Sequence, residues 1–87
     1  MSEEARRAKE AFRHTSDVLT RFVLAKLRGE EGPSLEAAWM AVIEAREAFS
    51  SLEATVTHSA RFEELRAHHA RQLASWEGAL RRYGTPS

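Results

Sequence analysis

The strongest constraint on the fold is a break between two apolar half-helices. Val18–Leu27 carries Val18, Leu19, Phe22, Val23, Leu24, Ala25 and Leu27, and Leu35–Ile43 has Glu36 as its one polar residue. Between them stands Arg28-Gly29-Glu30-Glu31-Gly32-Pro33-Ser34. Gly29 sits where a helix wants a left-handed C-terminal cap, a conformation open to a residue without a Cβ. Pro33 lacks the N–H that an upstream helix would need, and Ser34 offers a side-chain oxygen to the first turn of a new one. One helix therefore ends here and another begins, and so short a turn sends the second back along the first.

The first helix is expected over residues 3–28. Ala5, Ala8, Phe12, Thr15, Leu19 and Phe22 recur at spacings of three and four, which makes one stripe of a helix. Ser2 is placed to cap its start, Glu3 and Glu4 complement the positive end of the dipole, and Glu3→Arg7 and Asp17→Arg21 are favourable i,i+4 pairs. The second helix is expected over 35–56. Its heptad seam is Leu35, Ala38, Val42, Ala45, Phe49, Leu52 and Val56, widened by Trp39 and Ile43. The third, over 60–83, carries Phe62, Leu65, His69, Leu73, Trp76, Leu80 and Tyr83 on one stripe, with Glu77→Arg81 as a further pair. Gly84 and Pro86 stop it. Gly78 is a mid-helix cost, tolerable where a neighbouring helix or ring packs close.

The junction Thr55-Val56-Thr57-His58-Ser59 has neither Gly nor Pro, but its β-branched run is a weak helix former and Thr57 or Ser59 could cap a new helix. The fold class is all-α: an antiparallel three-helix bundle forming a single domain over residues 1–87. The alternative is a hairpin with one long second helix, Ser34 to Tyr83, completed by dimerisation.

Composition narrows the function. A chain of 87 residues buries only about 60% of its unfolded surface, so oligomerisation is an available source of stability. Thirteen basic residues balance 13 acidic ones, which argues against nucleic-acid binding through phosphate neutralisation. No run reaches the roughly 18 apolar residues of a membrane span, so no membrane partner is expected. The chain has no cysteine, and its first residues are acidic and helix-like rather than a secretion signal, so a cytoplasmic protein is expected.

In an up-down-up bundle the end of the first helix, the start of the second and the end of the third meet at one pole. That pole collects Phe22, Val23, Leu24, Leu27, Trp39, Met40, Ile43, Trp76, Leu80 and Tyr83; the other has Ala5, Ala8, Val56, Phe62 and Leu65. Three helices hide only their inward stripes, so Leu24, Met40 and one tryptophan are expected to be left over. These residues are either a well-filled core or, as a set, an interface for a second copy or a helical partner.

A polar belt at mid-height supplies the other functional reading. His14, Thr15, His69 and Glu47 fall at nearly one level, with Ser16, Ser50, Ser51 and His68, and could line a small-ligand or metal site. The Glu-x-x-His spacing of di-iron carboxylate bundles is absent: Glu10–His14 and Glu64–His68 are i,i+4. No Gly-rich phosphate loop, Gly-x-Ser-x-Gly elbow or other nucleophile constellation occurs, so no catalytic residue, metal or cofactor is assigned. The expectation is a non-enzymatic, homo-oligomeric or partner-binding module; the alternative is a ligand- or metal-binding bundle using the belt.

Overall fold

The computed structural model describes residues 3–55 and 60–85. It contains three helices and, among the described residues, no strand: α1 (Glu3–Arg28), α2 (Leu35–Thr55) and α3 (Ala60–Arg81). They form a compact three-helix bundle with extents of 45 × 23 × 21 Å, the long dimension set by α1. Among the described residues no helix is long and apolar enough to cross a membrane.

The turn that breaks α1 from α2 behaves as its residues dictate. Gly29 adopts φ 66°, and the Glu30 N–H donates to the Ala25 carbonyl at 2.9 Å, which closes the left-handed cap. The chain then folds back so tightly that a Cβ on Gly32 would stand 2.6 Å from the Ala25 Cβ. Ser34 Oγ accepts the Ala37 N–H at 3.0 Å and starts α2.

α1 and α2 lie closest together, whereas α3 packs chiefly on α2 and stands further from α1. The side chains explain the difference. The α1–α2 seam is built from small residues: Ala8 of α1 and Ala38, Ala41, Ala45 and Ala48 of α2 are all buried, and without bulk between them the backbones draw in. Thr15 is the one buried polar residue among those described; its Oγ1 lies 2.7 Å from the Ala11 carbonyl and 2.9 Å from Ala41's, so its single proton is offered to both. α3 instead presents Phe62, His69, Leu73, Trp76 and Leu80, whose bulk holds its axis further out.

The long-helix alternative is excluded. Arg46 of α2 pairs with Glu77 of α3, and Glu53 with Arg66 at 3.2 Å. In one continuous helix Arg46 and Glu77 would be about 46 Å apart at the normal rise. The junction itself, Val56 to Ser59, with its capping candidates Thr57 and Ser59, lies outside the described residues, as do Ser2 and Pro86.

Four local expectations change. α3 ends at Arg81 rather than 83, because the Tyr83 and Gly84 N–H groups both turn back to the Leu80 carbonyl and Gly84 takes φ 143°. Glu3 pairs with Arg6 rather than Arg7. Leu65 is exposed rather than in the stripe, at the pole where α1 offers only Ala5 and Ala8. Nothing approaches Gly78 within 4 Å of where a Cβ would be, so close packing does not account for it.

Candidate functional site

The pole closes around its C-terminal corner. The Tyr83 ring meets Phe22 edge-on at 5.0 Å, the Trp39 indole N–H donates to the Gly84 carbonyl at 2.9 Å, and Gly84 rests against Leu35. The expected convergence of the end of α1, the start of α2 and the end of α3 is thus what the chain adopts.

Convergence, however, hides part of the expected interface. Phe22, Trp39 and Leu80 are core residues, with Leu80 and Phe22 essentially inaccessible, so these three are corrected from interface to core. Neither tryptophan is left over: Trp39 is buried and hydrogen-bonded, and Trp76 is half-buried against Phe12 at 5.5 Å. Leu24 (41% exposed), Leu27 (75%), Met40 (52%), Ile43 (39%) and Tyr83 (42%) remain at the surface. Phe22 and Leu24 differ because a two-residue step turns a helix by about 200°.

Four of these five fall on two helix faces, and Tyr83 follows the end of α3. On α2, Glu36, Met40, Ile43 and Glu47 follow one another at the spacing of a single exposed stripe. On α1, Leu24 and half-buried Val23 form one wall of a shallow apolar groove of about 340 Å³, with Trp76 and Ala79 of α3 as the other. Ser16 and Thr20 also line it, about two turns and one turn before Leu24 respectively. Reading the sequence missed Thr20 and Ala79, and placed Ser16 in the mid-height belt rather than beside Leu24. The four-residue register of Ser16 and Thr20 with Leu24 was visible, but not where α3 and its Ala79 would lie.

The mid-height belt is not brought together. His14 and Glu47 are exposed on their own helices, Thr15 is buried and satisfied, and Ser16, Ser50, Ser51 and His68 are exposed. Among the described residues no three His, Asp or Glu side chains lie close enough to hold a metal ion. His69 is inserted between rings: it stacks on Phe12 at 4.3 Å and meets Phe49 edge-on at 5.2 Å. Its Nδ1 is buried and finds no hydrogen-bond partner among the described residues. Burial, and secondarily the neighbouring His68, lower its pKa below the ordinary value.

A larger open depression of about 600 Å³ lies beside the α1–α2 turn, where Arg21 and Arg28 face Glu30 and Glu31. Two cations against two carboxylates leave it no net preference for an ionic ligand. No family model, no curated protein and no solved structure matches this chain.

Proposed function

We propose that the protein is a non-enzymatic interaction module that self-associates through the apolar surface of α1, where Val23 and Leu24 border the groove against Trp76 and Ala79 and Leu27 follows about one turn further along the helix. The observation that carries this reading is the exposure of Leu24 and Leu27 on α1 beside that groove, with Met40, Ile43 and Tyr83 also at the surface of so small a protein. Isolated exposed leucines are ordinary, but several large apolar side chains near one end are the mark of a surface that meets another. Balanced charge supports association of like chains, because two copies of a neutral protein do not repel one another at long range. A helix from a different protein is the second occupant the same groove would accept.

Sedimentation equilibrium at micromolar concentration tests the proposal, with Leu27→Glu as the comparison. Leu27 is three-quarters exposed, so the substitution leaves the core intact. The expected result is a dimer for the natural chain and a monomer for L27E. A natural chain that stays monomeric up to several hundred micromolar overturns self-association.

A further inference from the structure

His69 sits where all three helices meet. α1 contributes the ring it stacks on, Phe12; α2 contributes the ring it meets edge-on, Phe49; and Trp76, two turns along α3, packs on Phe12 as well. The imidazole therefore fills the place of an aromatic core residue in the seat of α3. It does so at ease only when neutral. With its proton on Nε2, the ring leaves Nδ1 as a bare acceptor. A second proton would create a cationic N–H at Nδ1, pointing at no acceptor and lodged between two phenyl rings.

The surroundings offer that cation little relief. On α3 the nearest titratable group is His68, its ring 5.7 Å away, and Arg66 lies one turn before it. On α1 the charged and titratable residues within a turn of Phe12 are Lys9, Glu10, Arg13 and His14, all of them exposed to solvent. On α2, Arg46 and Glu53 flank Phe49 by one turn each. The two acidic groups of the α2–α3 seam, Glu53 and Glu77, are already held by Arg66 and Arg46.

We propose that His69 makes the seating of α3 on the α1–α2 hairpin pH-dependent, uptake of a second proton prising the middle of α3 from Phe12 and Phe49. This does not depend on the self-association reading. The sign follows from the direction of the shift. His69 is harder to protonate in the folded chain than in the unfolded one, for reasons of burial first and His68 second. Its contribution is whole above the unfolded value of about 6.5, falls as pH drops below that value, and levels off below the folded value.

The test is an NMR titration of His69 in the full chain, combined with urea unfolding between about pH 7.5 and 5.5, a window centred on the ordinary histidine value. The natural chain is compared with His69→Phe. The account expects the folded His69 to titrate below about 6.5 and the folding equilibrium constant to fall about tenfold at low pH for each unit of that depression. H69F should lose this component, and His68→Gln should keep it while raising the midpoint of His69. A His69 midpoint at or above the unfolded value overturns the proposal, as does an H69F slope equal to that of the natural chain. The titration of the natural chain decides alone if H69F does not fold.

Discussion

α2 faces two neighbours and meets them by different chemistry. Toward α1 it offers alanines, a close backbone and the Ala41 carbonyl, which accepts the buried hydroxyl of Thr15. Toward α3 the seam is made of rings, two ion pairs and an imidazole nitrogen without a partner. Close packing of small residues is uncharged and indifferent to solvent conditions. The exposed or half-exposed ion pairs are screened by salt and contribute about 1 kcal/mol or less each. The α1–α2 hairpin thus reads as the rigid part of the molecule and α3 as the element whose hold is conditional.

The largest effect should come from filling the hairpin seam. Ala45 is fully buried between α1 and α2, so Ala45→Leu should cost about 1–3 kcal/mol in urea unfolding by forcing the backbones apart. Ala74→Leu, on the exposed face of α3, should change stability by no more than about 0.5 kcal/mol. Equal costs at the two positions would mean that the hairpin seam has room for a larger side chain and is not held close by its alanines.

A smaller effect is expected at Thr15. The Ala11 and Ala41 carbonyls both lie inside helices and keep their own backbone bonds, so removing the hydroxyl orphans neither. Thr15→Val should therefore cost no more than about 1 kcal/mol. A loss of several kcal/mol would mean that the seam depends on this hydrogen bond rather than on its alanines.

How far the sequence disclosed this arrangement depends on where its signals are local. Gly29, Pro33 and Ser34 act through backbone geometry within a few residues, so the α1–α2 turn and both helix ends beside it could be read directly. The stripe Ala8, Phe12, Thr15, Leu19 and Phe22 is a property of one helix and proved to be the buried face. What could not be read was which second face the third helix would cover. That choice buries Leu80 and Trp39 while leaving Leu24, Leu27 and Met40 at the surface, and it is made by tertiary packing rather than by periodicity. The belt of His14, Thr15, Glu47 and His69 failed for a related reason: equal height along a bundle does not imply a common face. Only Thr15 and His69 turn inward, one to carbonyls and the other to phenyl rings.

Native-state hydrogen exchange, resolved by residue at neutral pH, tests the central contrast most directly. The account predicts that amides in the buried stretches of α1 and α2 exchange only through global unfolding, while those of α3 exchange through a smaller opening of lower free energy. A single exchange free energy shared by all three helices would contradict it, and would make the bundle one cooperative unit with no conditional element.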